Sequence, residues 1–383
     1  MKKIILSLLT LMLTGGYLSA EGDISSIFKA GLVDMNTLGN GYLKPAGNSF
    51  SAGLGSNWYN SAKVHKTWGF DLTVGAGVVL VPLSDQNFDV THMMNVRPTN
   101  SVVTQAPTFA GKKDGGIGLD IMQPHYLSNG NVNPFWQNGT GKITSFNSPG
   151  GVSKYIPTAS VQFTLGLPYI NDVSVRFIPT VNVKGVGASL WGVGIKHNIK
   201  QWIPVVKDLP FDAAVVLAYS KFSLNYAFAD NSITPDKLVG NDGTTFSPDP
   251  NSSDYSKQAI KLIATAKTAN IVFSKKLAFI TPYIGFGITS TTFDVSETGN
   301  FPTLGDPKTI NAGGVEVPVL NSNGKPIMQI KNYIDPLKIS SNEVMPNTTI
   351  GLRFKFLWIL SVHAQYAIQK YPLASVGVGL TFR

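Results

Sequence analysis

The sequence predicts an all-β protein: a transmembrane antiparallel β-barrel of about twelve strands, with a short N-terminal helix and plug segment ahead of it. Three observations predict this class. At the C-terminus, Ala374, Val376, Val378, Leu380 and Phe382 share one face of a strand, while Ser375, Gly377, Gly379 and Thr381 share the other. One wholly apolar side with an aromatic near the tip suits a wall strand with lipid on one face and a lumen behind the other. Charged residues are only 14% of a chain that holds 38 glycines and 23 prolines, and after residue 20 no apolar run is long enough for a membrane helix. The same alternation then recurs along the whole chain.

Residues 1–20 read as a secretory signal. Lys2 and Lys3 form a basic start, Ile4 to Met12 an apolar run too short to span a bilayer, and Leu18-Ser19-Ala20 a small-residue cleavage site. The chain has no cysteine, which excludes both a disulfide framework and a lipid-modified cysteine after the cleavage site. Residues 21–68 follow. Ile24, Ile27, Phe28 and Leu32 have helical spacing, so a short helix is expected over Asp23 to Asp34, with Asp23 as its cap. Chain rich in Gly and Asn comes next, through Tyr42, Trp58 and Tyr59. A segment that cannot build its own core, placed ahead of a barrel, is expected to fold inside the lumen as a plug. Ile27, Phe28, Tyr42, Trp58 and Tyr59 are its anchoring candidates.

The barrel is expected over 69–383. Phe70 to Leu80 alternate with Asp71, Thr73, Gly75 and Gly77; Ala159 to Leu165 alternate with Ser160, Gln162 and Thr164. Val173, Val175 and Phe177 oppose Ser174 and Arg176, and Trp191, Val193 and Ile195 oppose Gly192, Gly194 and Lys196. Phe211 to Tyr219 come next, then Ile260, Leu262, Ala264 and Ala266 against Lys261, Thr265 and Lys267. Ile284, Phe286 and Ile288 oppose Tyr283, Gly285 and Gly287; Ile350 to Phe356 oppose Arg353 and Lys355; Leu360 to Ile368 oppose Ser361, His363 and Gln365.

With the C-terminus set in the periplasm and the count run backwards, the short gaps at 168–171, 274–277 and 357–358 fall on the periplasmic side. The long gaps at 230–255 and 295–345 fall outside, as barrels of this class require. Only 200–210 is long for a periplasmic turn, and Ile199, Trp202, Ile203 and Val206 are expected to form an amphipathic turn there. The stretch 82–156 is either one large outer region, giving ten strands, or conceals one or two hairpins, with Gly115 to Met122 the best candidate. Twelve strands are expected, ten and fourteen being the alternatives.

Several motifs carry a resemblance. Tyr42-Leu43-Lys44-Pro45, the run from Trp58 to His65, Gly69 to Val74, Arg176 to Pro179 and the central stretch from Trp191 to Asp212 are similar to an uncharacterised family of outer-membrane barrels from Bacteroidota-type bacteria. The resemblance spans the first half of the mature chain and implies the barrel and its location, with no activity to carry over. More remotely, an N-terminal plug bearing Tyr59-Asn60-Ser61-Ala62 resembles the long-chain fatty-acid transporter barrels, which implies uptake of hydrophobic solutes.

If apolar faces meet lipid, then Asp71, Arg176, Lys196, Lys261, Lys267, Arg353, Lys355, His363 and Gln365 line the lumen. Such a basic interior draws in carboxylates or phosphates, or holds the acidic groups of a plug. Val376, Val378, Leu380 and Phe382 are the membrane-facing residues of the last strand. The formal net charge of +9 falls by two when Lys2 and Lys3 leave, and its lysines are scattered, which argues against nucleic acid. The five histidines stand far apart in sequence with no triad or metal-ligand spacing, so neither enzyme nor cofactor is expected. The expected partners are outer-membrane lipid and lipopolysaccharide, the barrel-assembly machinery through the C-terminal strand, and a small hydrophobic solute. Two functions follow: a passive channel or transporter for small hydrophobic or amphiphilic solutes gated by the N-terminal segment, or a surface-interaction barrel whose long loops, such as Gly313 to Leu320, bind partners or polymers.

Overall fold

The computed structural model describes residues 31–122, 141–169, 171–183, 186–202, 209–228, 232–235, 245–247, 254–356 and 358–382. Ten strands form a closed antiparallel barrel. They are β1 (Phe70–Leu80), β2 (Tyr155–Leu167), β3 (Asn171–Val183), β4 (Val186–Asn198), β5 (Asp212–Ala227), β6 (Ala259–Ser274), β7 (Ile280–Thr298), β8 (Lys338–Phe356), β9 (Leu360–Ile368) and β10 (Leu373–Phe382). Each pairs with its sequence neighbours, and β1 closes the ring against β10, with Phe70 opposite Phe382 and Val78 opposite Ala374. Closure leaves no edge strand, so every wall strand is paired on both sides.

The count is ten rather than twelve. Gly118–Met122 is a strand, but it pairs with Val96–Pro98 and Lys142–Asn147 in a small sheet apart from the wall. The described residues between β1 and β2 therefore add no strand to the wall. Thr309–Ala312 and Val315–Pro318 make a separate hairpin that turns at Gly313 and Gly314, both at positive φ.

Every strand turns apolar side chains to the exterior. Leu72, Phe163, Val175, Trp191 and Leu217 are each more than a third exposed, as are Ile271, Phe286, Ile350, Tyr366 and Val378. A continuous apolar belt of this extent is what a bilayer covers. One end of the barrel has the short turns, and there Trp68, Tyr169, Trp202, Phe279 and Trp358 all project, each more than half exposed. Such a ring of aromatics marks the level of a membrane–water interface. The other end carries the long connections 81–154, 228–258 and 299–337.

A helix, α1 (Gly31–Leu54), packs against β1, β2, β5, β6, β7 and β8 from inside. The sequence predicts helix only to Asp34, followed by chain rich in Gly and Asn. The structure carries helix twenty residues further, to Leu54, although Gly39, Gly41, Pro45, Gly47 and Gly53 are poor helix formers. Enclosure overrides propensity here. A Cβ at Gly41 would stand 2.3 Å from the Phe88 ring and one at Gly47 2.2 Å from the Phe293 ring, so the glycines admit the surrounding aromatics. The N-terminal part of the expected helix, with Ile27 and Phe28, lies outside the described residues.

Three apolar clusters fill the interior. The first joins Met35, Leu38 and Leu54 of α1 to Phe222, Phe293 and Ile339 of the wall and to Phe146, Phe301 and Leu337 of the long connections. A second gathers Ala52, Val79, Met345 and Tyr371, and a third, nearer the short-turn end, gathers Trp58, Tyr59, Val216 and Tyr283.

Candidate functional site

The candidate site is the filled lumen, built where α1 ends and its tail continues toward β1. The last carbonyls of a helix lack intrahelical partners and carry the negative end of its dipole. Here the wall supplies the partners. Arg176 on β3 donates from Nη1 to the Leu54 carbonyl (3.1 Å), from Nη2 to the Ser56 carbonyl (2.7 Å) and from Nε to Gln162 Oε1 (3.0 Å). Its guanidinium lies 3.9 Å from the centre of the Trp58 ring. Ser220 Oγ donates to the Leu54 carbonyl (3.0 Å) and Thr268 Oγ1 to the Gly55 carbonyl (2.9 Å). Arg176 has no carboxylate partner among the described residues; helix carbonyls and an aromatic face balance its charge instead.

Below this cap, aromatics of the tail press against bare backbone of the wall. A Cβ at Gly194 would be 2.8 Å from the Trp58 ring, and one at Gly285 would be 2.2 Å from the Tyr59 hydroxyl. The glycines that alternate with Val and Ile in these strands are therefore seats for the plug. Asn57, at φ 63°, accepts from Ser375 Oγ (2.7 Å).

At the short-turn end, Asp172 is fully buried and accepts from the His65 amide (2.9 Å), His65 Nδ1 (3.0 Å) and Lys196 Nζ (2.9 Å). Lys196 also donates to the Lys63 carbonyl (2.8 Å), and the Ala62 amide to Ser274 Oγ (2.9 Å). Close by, Asp71 accepts from Thr73 and Thr381 and pairs with Arg353 Nη2 at 3.4 Å. Lys355 is half-buried on the same inner face. Deeper in, Gln365 accepts from the Tyr283 hydroxyl (3.0 Å), and His363 is buried over Gly377.

At the long-loop end a third set of contacts holds the helix. Asn48 Nδ2 donates to Glu343 Oε2 (3.0 Å), Lys370 bonds Glu343 and lies 3.4 Å from Asp85, and the Tyr371 hydroxyl donates to Asp85 Oδ2 (2.7 Å). Burial opposes charge on Asp85, but hydrogen bonds from Tyr371 and Ser84 and the charge of Lys370 outweigh it and hold the carboxyl below its usual range. For Lys370 burial is likewise outweighed, by Glu343 and Asp85, and its pKa is raised. Burial, and then Asp85, push the Tyr371 phenol up.

Asp71, Arg176, Lys196, Arg353, Lys355, His363 and Gln365 thus face the interior, and Tyr42, Trp58 and Tyr59 are buried within it. Lys261 and Lys267 do not: both are exposed on the outer face of β6. The reading inverted that strand because its upper inner face is apolar. Leu262, Ala264 and Ala266 pack on the first cluster around α1, so alternation alone points the wrong way. Val376, Val378, Leu380 and Phe382 lie on the outer face of β10, with Phe382 stacked on Phe70 at 4.7 Å. Sequence reasoning missed Ser220, Thr268, Asn48, Glu343 and Lys370, for which no local pattern exists. Gly192, Gly194 and Gly285 are a usable signal for the aromatics opposite them.

Among the described residues no group of three or more His, Asp or Glu side chains is placed to hold a metal ion. The His65–Asp172 pair is tied to the backbone of the tail and to Lys196, an arrangement that positions chain rather than activating a nucleophile.

Solved structures similar to this chain are barrels. The outer membrane transporter YddB from Escherichia coli is 11% identical over 82% of this chain, with a TM-score of 0.29; this chain covers 41% of its length. The translocator domain of the autotransporter NalP from Neisseria meningitidis is 9% identical over 92% of this chain and 98% of its own, with a TM-score of 0.28. The outer membrane protease OmpT from Escherichia coli is 8% identical over 83% of this chain and 99% of its own, with a TM-score of 0.30. No curated protein matches the chain. The model that does match spans residues 1–382, and the chain belongs to that family, described as a family of unknown function, DUF6588.

Proposed function

We propose that this protein is an integral outer-membrane barrel, exported through residues 1–20, whose lumen is shut at rest by residues 31–68 of the N-terminal segment and which passes small hydrophobic or amphiphilic solutes when the tail of the plug moves aside. Its short-turn end faces the periplasm and its long connections face outside. The observation that carries the reading is the unequal seating of the plug. Toward the outside, α1 is gripped by a dry apolar cluster containing Met35, Leu38, Phe293 and Phe301. From Gly55 to Gly69 the tail has neither helix nor strand; it is held by a smaller apolar cluster around Trp58, Tyr59 and Ala62 and by separate polar contacts from Arg176, Thr268, Ser375, Asp172 and Lys196. Polar contacts re-form in part with water, so they release at a smaller net loss than an apolar core of this size. The tail is therefore the part that yields, and it opens toward the periplasm. On this reading the protein is not an enzyme. Its partners are membrane lipid and lipopolysaccharide, the solute, and the assembly machinery that meets β10.

A second reading, an interaction barrel, is favoured by one observation. The long connections fold into their own small sheets over the mouth, including Thr245–Ser247 with Ile327–Ile334 and Asn300–Pro307. Bilayer conductance and liposome swelling separate the two. Silence from the intact chain with conductance and solute entry after deletion of 21–62 supports the gated barrel. A deletion that folds, inserts and stays closed to solutes sinks it in favour of the interaction reading.

A further inference from the structure

The outer wall between β4 and β7 is not smooth. Ala269 on β6 faces outward between Leu217 on β5 and Ile288 on β7, its partners in register, and so leaves a trough between two larger side chains. Val193 and Ile195 extend the trough, whose volume is about 550 Å³. That volume lies within the range of sites that hold small molecules. One step toward the long-loop end, Lys267 stands at its head between Tyr219 and Ser290. Tyr219 lies 5.2 Å from the Trp191 ring, and Lys221 is paired in register with Trp191 on one side and Thr265 on the other. Lys221 and Lys267 are thus diagonal neighbours on one face, a spacing of about 7–8 Å between strands.

Two like charges side by side repel, and neither has a carboxylate within ion-pair distance among the described residues. The nearest acid on this face, Asp294, lies four residues further along β7 and accepts a hydrogen bond from Ser340 (2.6 Å). Below the lysines the face is apolar; at their own level it turns polar, with Ser290 beside Lys267 and Thr265 and Thr292 in the row of Lys221. An apolar trough that ends in paired ammonium and aromatic groups at a membrane boundary has the polarity of a lipid, chain below and anionic head above.

We propose that this trough binds one phosphate-bearing membrane lipid, its acyl chain over Ala269 and its headgroup on Lys267 and Lys221. The inference rests on the membrane placement proposed above, not on solute passage. Native mass spectrometry of the intact chain, titrated with phosphatidic acid in detergent, tests it. The intact chain retains one phosphatidic acid in preference to phosphatidylcholine, and inorganic phosphate does not displace it. Lys267→Gln and Lys221→Gln each weaken retention about fivefold, the effect of one cation near an anionic headgroup. Ala269→Phe fills the trough and lowers retention of both lipids alike. Heat-modified gel mobility reports that each variant still forms the barrel. Unchanged retention in the folded variants overturns the proposal, as does displacement by inorganic phosphate, or a dimer that appears in place of lipid adducts. A chain that stays dispersed without detergent sinks the membrane placement itself, a result distinct from a barrel that inserts and retains no lipid.

Discussion

Replacing Arg176 by methionine tests the seating of the plug most directly. The side chain makes three hydrogen bonds, two of them to carbonyls of the helix end and the tail, and covers the Trp58 ring. A hydrogen bond to a charged group contributes roughly 1.5–3 kcal/mol, and a cation at a partly buried helix C-terminus up to about 2 kcal/mol. Against this stands the burial of a guanidinium without a carboxylate, a penalty of several kcal/mol that methionine does not incur. Ser220 also still serves the Leu54 carbonyl in the variant, whereas the Ser56 carbonyl and Gln162 Oε1 lose this donor. The balance is a loss of about 3 kcal/mol in plug docking, or roughly two orders of magnitude in the population with the tail released. Hydrogen exchange reads this site by site. Amides at 55–62 should lose protection by about that factor, while those of β7 and β8 keep theirs. Equal protection in both proteins would refute the claim that the wall caps the helix.

Three further outcomes follow from the same geometry. Gly194→Leu places a side chain where the Trp58 ring now lies, so the tail should become open to protease from the short-turn side while the barrel remains heat-modifiable. Asp172→Asn removes the charge that holds His65 and Lys196 and should weaken tail protection by about 2–4 kcal/mol, since Lys196 stays buried without its counter-ion; exchange at 62–66 measures it. The contacts at the other end titrate at the extremes. The Asp85 carboxyl is depressed, so its contribution is complete above its ordinary pKa of 3.8 and fades as pH falls through the lower folded value. The Lys370 pKa is raised, so its contribution is complete below 10.5 and fades as pH rises through the higher folded value. Protection of α1 around Asn48 should therefore be flat from about pH 5 to 9 and drop outside that window; a step near pH 7 would show that another group holds the helix there.

The barrel was legible because lipid imposes period two on every strand, and alternation from β1 to β10 survives in the residues themselves. Its failures share one cause. Alternation reports which side is apolar, not which side is outside, and the two coincide only where the lumen is polar. Around β6 the lumen is a dry core, so Ile260, Leu262, Ala264 and Ala266 turn inward and Lys261 and Lys267 outward. The extra hairpin expected near Gly115 to Met122 fails for a related reason. Residues 118–122 do alternate, but their burial comes from the sheet over the mouth, where a strand needs no lipid face. Beyond Asp34 helix α1 is not legible because its glycines and Pro45 disfavour helix locally, while Phe88 and Phe293, which occupy the space beside Gly41 and Gly47, are distant in sequence.

The direction of α1 also constrains how the molecule closes. Asp34, in the first turn of the helix, accepts from the amides of Met94 and Asn95, and Asn36 bonds Pro336 and Lys338, so the helix starts at the long-loop end. The tail leaves at the opposite end, where the Trp68 amide bonds the Gly166 carbonyl, and passes directly into β1. The chain therefore runs the full length of the lumen before it makes the first wall strand. Trp58 and Tyr59 meet β4 and β7, strands that follow in sequence, and Asn57 meets β10. The seats of the plug are therefore complete only when strands from β4 to β10 are in place, and the ring they form is closed where Phe70 meets Phe382.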